Sequence, residues 1–199
     1  MPLDRSALAS PPMIATADLR LEPMGPQHFE GMWGSLGDPE MRRLTGTHRT
    51  FTEPDVRAYL DRLVNNDERA DFAMIRTSDK RYLGEAVLNE LDEANRAMNF
   101  RIALASADLL GHGYGTRATQ AVLDFGFDLV RLHRIALGVY AFNPRAEHVY
   151  TRCGFLREGR HRDALHWDGA WHDEITMAIL ATDPRPWHRP PESVDTVDR

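Results

Sequence analysis

Apolar and polar positions alternate along the chain in two rhythms, with periods near two and near 3.6 residues, and each rhythm predicts an element. A first strand is expected near Leu19 to Pro23. Helical spacing follows over Pro26 to Leu36 and Glu53 to Val64, the second opened by Thr52 as N-cap and Pro54 in its first turn. Phe72 to Arg76 and Tyr82 to Leu91 read as strands, the latter with Leu83, Val87 and Leu91 on one face with Glu85 and Asn89. After the turn sequence DEANR, Phe100, Ile102 and Leu104 alternate with Arg101 and Ala103, which completes a half-buried antiparallel hairpin.

Gly113 to Val130 then reads as a helix, with Ala118, Ala121, Val122, Phe125 and Leu129 on one stripe. HRIALGVY is a further strand, and Asn143-Pro144 caps a short helix that ends at Gly154. RDALHWDGAWHDEITMAIL is two strands joined by Asp168-Gly169, a favoured two-residue hairpin turn. This order describes an α/β (α+β) fold, a mixed central sheet with helices on both faces. Prolines gather at both ends, so residues 1–17 are expected to be a flexible tail, 18–182 a single domain and 183–199 a Pro-rich tail.

Composition removes several function classes. The chain of 199 residues carries a net charge of −6, which argues against a nucleic-acid partner and favours cationic ones. No apolar run approaches the ~20 residues of a membrane span, and the first residues lack a signal peptide's apolar stretch, so the expectation is a cytoplasmic protein without a membrane partner. Cys153 is the single cysteine, which excludes an internal disulfide. The nine histidines include neither an H-E-x-x-H motif nor a Cys/His cluster, so no metal is expected.

The stretch LLGHGYGT, Leu109 to Thr116, places three glycines directly before a helix. Glycine permits positive φ and close approach, and a helix N-terminus offers unpaired N–H groups to an anion, of which phosphate is the commonest. A P-loop needs Gly-Lys-Ser/Thr, absent here, and a dinucleotide fingerprint needs a different glycine spacing. What the stretch does resemble is the pyrophosphate loop of the GNAT acetyltransferase superfamily, usually R/Q-x-x-G-x-G/A. Gly113 and Gly115 fit, while Leu110 stands where the Arg or Gln is usual. NPRAEHVYTRCGF, Asn143 to Phe155, is similar to the superfamily's second signature, correctly separated from the first by a helix and a strand. GDPEMRRLTG and DGAWHDEITMAIL resemble the branch of ribosomal-protein N-terminal acetyltransferases, and the likeness spans roughly Leu19 to Leu180.

The resemblance implies a mostly antiparallel sheet, acetyl-CoA as co-substrate, and direct transfer of the acetyl group to an amine. Backbone N–H groups of Gly111, His112, Gly113, Tyr114, Gly115 and Thr116 would hold the pyrophosphate. Ile102, Ala103 and Leu104 would pair with the pantetheine arm, a main-chain N–H near Ala103 polarising the thioester. Asn143 and Arg145 would contact the cofactor, although Asn143 also reads as a helix cap and Arg145 as a solvated charge. Tyr150 lies on a stripe with Ala146 and Val149, which alone marks a packed tyrosine; the resemblance makes its hydroxyl the acid that protonates the departing thiolate. Ala97 stands where a glutamate is common, so Glu85 is the leading carboxylate for the base, or else a surface residue, with His148, Asp163 and His166 behind it. Cys153, in apolar surroundings, reads as core rather than nucleophile. The acceptor is a protein N-terminus or a small-molecule amine, lined by Trp33 to Tyr59 and the final hairpin. A non-catalytic acyl-CoA-binding module and a homodimer both stay open.

Overall fold

The computed structural model describes residues 2–188. Eight strands form one sheet: β1 (Ile14–Ala15), β2 (Leu19–Pro23), β3 (Ala70–Arg76), β4 (Tyr82–Asp92), β5 (Ala97–Leu104), β6 (Arg134–Tyr140), β7 (Leu156–Trp167) and β8 (Ala170–Leu180). Their order is β1-β2-β3-β4-β5-β6-β8-β7. Every pairing is antiparallel except β5 with β6. The six α-helices among the described residues are α1 (Arg5–Ala9), α2 (Phe29–Ser35), α3 (Pro39–Leu44), α4 (Glu53–Leu63), α5 (Tyr114–Asp124) and α6 (Pro144–Arg152).

Local chemistry explains the boundaries. The Asp55 carboxylate accepts the Thr52 N–H at 2.9 Å and the Thr52 hydroxyl accepts the Asp55 N–H at 3.4 Å, a capping box that starts α4. Asp38 and Asn143 accept from Met41 and Ala146 to start α3 and α6, each followed by proline at the first helical position. Asp168 and Gly169 take φ of 48° and 78°, the twin left-handed pair of a type I′ turn.

Two cores sit on opposite faces. One packs α5 and α6 against the sheet through residues such as Phe72, Leu88, Phe100, Val122, Ile135 and Phe155. The smaller packs α2 and α4 over Ala73 and Ile75, with Phe29, Val56 and Leu60 at its centre.

Three expectations are corrected. The N-terminal stretch is docked rather than loose: Leu8 is 1% exposed in the main core, and the Asp4 N–H donates to the Val130 carbonyl at 2.9 Å. Pairing slips between Met74 and Ile75, and Gly84 takes φ of 136°, so Leu83 turns into the core with Ala86 and Leu88 and parts from Glu85. The long helix after the glycine loop is also not uniform. Beyond Asp124 it widens into a π-turn over Phe125–Leu129, and the extra residue rotates Leu129 off the apolar stripe to 46% exposure. The first residues of the C-terminal tail are draped over this turn, with Arg185 bonding Asp124 at 2.7 Å and Asp128 at 2.8 Å; the rest of that tail lies outside the described residues. That arginine fills the one cluster of metal-ligand type among the described residues, Asp124, Asp128 and His188.

Candidate active site

The glycine loop meets the geometry an anion requires. Gly111 and Gly113 adopt φ of 84° and 78°, where a side chain would be strained. The first helical bond of α5 runs from the Arg117 N–H to the Gly113 carbonyl at 3.1 Å, so the N–H groups of Tyr114, Gly115 and Thr116 have no helical partner. Gly111 and His112 are exposed, and Gly113, Gly115 and Thr116 are half-buried. The Tyr114 side chain is buried and receives a bond from Arg76 at 3.4 Å, so Tyr114 offers the site main chain only. Arg117, which the sequence reading passed over, folds back under the loop: its Nη2 donates to the His112 carbonyl at 3.0 Å and to Asp18 at 2.9 Å. It fixes the loop, with its charge met by the Asp18 carboxylate.

The second component is a gap in the sheet. β5 and β6 pair over only three residues, Ala97 with Arg134 to Asn99 with Ala136, and then diverge. Backbone groups of β5 beyond Asn99 therefore have β4 on one side and no strand on the other. The Ala105 N–H donates to Leu83 of the β4 side at 2.8 Å, and the Arg96 carbonyl accepts from His133 on the β6 side at 2.7 Å. By alternation Ile102 and Leu104 turn their N–H groups into the gap, and Ala103 turns its own toward β4. Of the three residues expected along this edge, Ile102 and Leu104 thus present N–H groups to the gap and Ala103 does not.

Tyr150 stands at the apex of this gap. Its ring is edge-on to Phe100, the first β5 residue past the last β6 pair, at a centroid distance of 6.4 Å. It is 8% exposed, and burial lifts its hydroxyl above the ordinary tyrosine range, so it keeps its proton throughout the neutral region. Cys153, one turn on, is fully buried, and burial raises its thiol to about 12, which leaves it no thiolate at neutral pH. Asn143 caps α6 through its Oδ1, 3.1 Å from the Ala146 N–H. Arg145 is exposed on the first turn of α6, within electrostatic reach of Glu40 on α3.

On the opposite face of the same gap lies Glu85. Directly paired residues share a face, so Glu22, Ala73, Glu85 and Ala103 form one row across β2 to β5. Counting on from Asn99 and Ala136, Ala103 is level with Tyr140 across the gap, and that row continues through Glu174 to His161. The floor between the two half-rows is made of small residues, Ala103, Ala136 and an exposed Gly138. Glu85 Oε1 is 3.3 Å from Arg101 Nη2, while its Oε2 is buried without a hydrogen-bond partner. Burial raises its carboxyl; Arg101 and Arg69 pull it down and Asp71 pushes it up. Asp71 itself is held by Tyr59 at 2.6 Å and by two bonds from Arg69 at 2.6 and 2.7 Å. The lesser candidates for the base, His148, Asp163 and His166, are all exposed.

α3 closes one end of this trough. Asp38 accepts the N–H of Ala107, just past β5, at 3.2 Å. At its other end Arg43 lies over the Phe142 ring at 4.9 Å, and His48 stacks on Trp167 at 4.8 Å. The α3 bridge is absent from the sequence reading, although Asp38-Pro39, an N-cap followed by proline, is a signal that could have found it. The aromatic contacts that seat it are long-range and leave no local pattern.

A loop of N–H groups at a helix start thus lies beside an opening in the sheet, with Tyr150 on one face of that opening and Glu85 on the other. The model of the acetyltransferase (GNAT) domain family matches residues 18–156. The spermidine N(1)-acetyltransferase of Vibrio cholerae is 31% identical over 107 residues, 54% of this chain and 61% of that protein. The Bacillus subtilis protein named Probable N-acetyltransferase YjcK is 30% identical over 138 residues, 69% of this chain and 73% of its own length. Among solved structures, the spermidine N-acetyltransferase of Vibrio cholerae in complex with CoA and spermine superposes with a TM-score of 0.76 at 22% identity, covering 83% of this chain and 97% of that one. The chain belongs to the GNAT acetyltransferases, a family that moves an acetyl group from acetyl-CoA to an amine.

Proposed function

We propose that this protein transfers the acetyl group of acetyl-CoA directly to a small-molecule amine bound in the trough between Glu85 and Glu174. The observation that carries the reading is the parting of β5 from β6 after Asn99 and Ala136, beside the glycine loop and between Tyr150 and Glu85. The N–H groups of residues 111–116 bind the pyrophosphate, with Arg117 behind them. Main-chain groups of Ile102 and Leu104 take the pantetheine arm as an added strand, and one of their N–H groups donates to the thioester oxygen as negative charge develops there. Asn143 and Arg145 flank the cofactor at the start of α6.

Glu85 accepts a proton from the incoming ammonium. The amine nitrogen then forms a bond to the acetyl carbon as the carbon–sulfur bond breaks, with the electron pair leaving on sulfur. Tyr150 passes its hydroxyl hydrogen to that thiolate while the surplus proton left on the acylated nitrogen returns through water to the tyrosine oxygen, and Glu85 releases its own proton to solvent after the turnover. A thiol titrates near 8.5 by analogy with cysteine, below the raised tyrosine, so Tyr150 acts chiefly as a hydrogen-bond donor that completes proton transfer late. Two features favour an enzyme over a silent acyl-CoA binder: both proton-handling side chains face the gap, and Glu85 retains a buried oxygen that nothing in the protein satisfies. The α3 bridge favours a slender amine over a polypeptide N-terminus.

The test is acetyl transfer from acetyl-CoA, read as free thiol, across linear and branched amines, polyamines such as spermidine, and N-terminal peptides. Turnover with amines above that with peptides supports the reading. Thiol release that no acceptor accelerates overturns it.

A further inference from the structure

Glu174 is placed for a task that the transfer step leaves unfilled. Its carboxylate belongs to a hairpin rich in arginine, where neighbouring acids are neutralised: Asp173 by Arg160, Glu158 by Arg134 and Glu147 by Arg157. Glu174 instead meets His161, with Oε2 3.2 Å from Nδ1. It is 29% exposed, less than His161 at 66%. Its direction is also set. A Cβ built on Gly138 would lie 2.2 Å from Glu174 Oε1, so the carboxylate of β8 leans across β6, over the one position there without a side chain, toward the gap. Glycine at 138 needs no unusual backbone angle; its φ is not in the left-handed range. What it provides is room.

We infer that Glu174 binds the second, non-reacting ammonium of a linear diamine or polyamine whose first nitrogen is deprotonated by Glu85. The two carboxylates share a face and a register level, separated by three strand steps through Ala103 and Tyr140. Two of the steps are paired strands at ~4.8 Å each and the third, Ala103 to Tyr140, crosses the opened gap, so their backbones are more than ~14 Å apart. Glu174 reaches inward over a floor of alanine and glycine, and Glu85 stands at the far edge of that floor with its Oε1 3.3 Å from Arg101. A slender chain with a cation at each end spans that interval, whereas a monoamine engages only one lip. The Tyr140 ring, beside Glu174 on the adjacent strand, contributes an apolar wall for the methylenes between the charges, and burial and Glu174 both raise its hydroxyl.

This inference rests on the amine-acetylation reading, and one experiment separates the two. Steady-state acetylation of diaminohexane and of hexylamine is compared in wild type and in Glu174→Gln. The wild type is expected to favour the diamine through KM. The ratio of kcat/KM for diamine over monoamine should fall about tenfold or more in the variant, the loss of a charge-assisted contact, with the change in KM rather than kcat. Gly138→Ala is the second variant: its new methyl occupies the place of the carboxylate and should lower the same ratio while Glu174 is retained. If wild type turns over both amines and the ratio is unmoved in both variants, Glu174 is a surface residue and the inference fails alone. If wild type acetylates neither amine, the inference fails, and the function proposed above falls with it when no amine of the wider panel is acetylated either.

Discussion

The Tyr150 and Phe100 rings meet edge to face, centroids 6.4 Å apart and planes at 89°. An edge-to-face pair is worth about 0.5–1.5 kcal/mol beyond its buried area, and Phe155 adds a second such contact to Tyr150 at 5.9 Å. The ring is thus held by packing alone, which separates its structural role from that of its hydroxyl. Tyr150→Phe keeps every ring contact. We expect its melting temperature to stay close to wild type and kcat to fall by about 10²-fold, the low end of acid catalysis because thiolates leave readily. Acetyl-CoA affinity should hardly change. A kcat within threefold of wild type, with chemistry limiting the rate, would make Tyr150 purely a core residue.

Glu85 gives a prediction in pH. Burial raises its carboxyl above the ordinary glutamate range, and Arg101 opposes the rise. In the proposed role as base Glu85 must be ionised, so the acid limb of kcat should sit higher than that of a solvated glutamate, and Arg101→Gln should push it higher still. Glu85→Gln should lower kcat by about 10²–10⁴. Linkage fixes the sign of the stability effect. A carboxyl that holds its proton more tightly when folded weakens the fold as pH climbs from its unfolded value through its raised folded one. Glu85→Gln should therefore gain thermal stability over wild type at neutral pH, and the gain should vanish below the ordinary glutamate pKa. A stability loss at neutral pH would show that the Arg101 pair outweighs the burial.

Acetyl-CoA should stabilise the protein. Saturation at a hundred times Kd contributes about 2.7 kcal/mol, which for a domain of this size is roughly 5–10 °C in melting temperature. Gly113→Asp should abolish that shift. The φ of 78° disfavours any side chain, a Cβ there would lie 2.7 Å from the Arg117 guanidinium, and the new carboxylate repels phosphate. Calorimetric titration of the variant with acetyl-CoA checks this; undiminished binding would remove the loop from the site.

Leu8, 1% exposed, lies well before the first expected strand. Leu8→Ala should cost about 2–5 kcal/mol, as for other buried leucines, measurable by urea denaturation. A cost under ~1 kcal/mol would mean that α1 is dispensable to the core.

The strands of the hairpin around DEANR and the caps at Thr52 and Asn143 were legible because their signals are local: alternation, and a polar side chain one turn from an unpaired N–H. The glycine loop was legible for the same reason. Leu83 was misplaced because a bulge is a slip between two strands, and only the partner strand reveals it. α1 was hidden by Pro11 and Pro12, which read as a tail although Leu8 finds a core assembled from residues far along the chain. At the site, Tyr150 and Glu85 could be named, yet their positions on opposite faces of one gap depend on where β6 stops following β5. Arg117, Arg101 and Glu174 carry no sequence signal of their own, and their meaning comes from what the fold sets beside them.

The early end of the parallel pairing also turns the sheet into a partition with a slot in it. The glycine loop and Tyr150 belong to the side of α5 and α6, and Glu85, Gly138 and Glu174 to the other. With donor and acceptor bound as proposed above, each would reach the slot by its own door and leave by it, so neither has to wait for the other. Initial-rate lines for the two substrates should intersect rather than run parallel, and the acetylated amine should be free to depart while CoA is still seated.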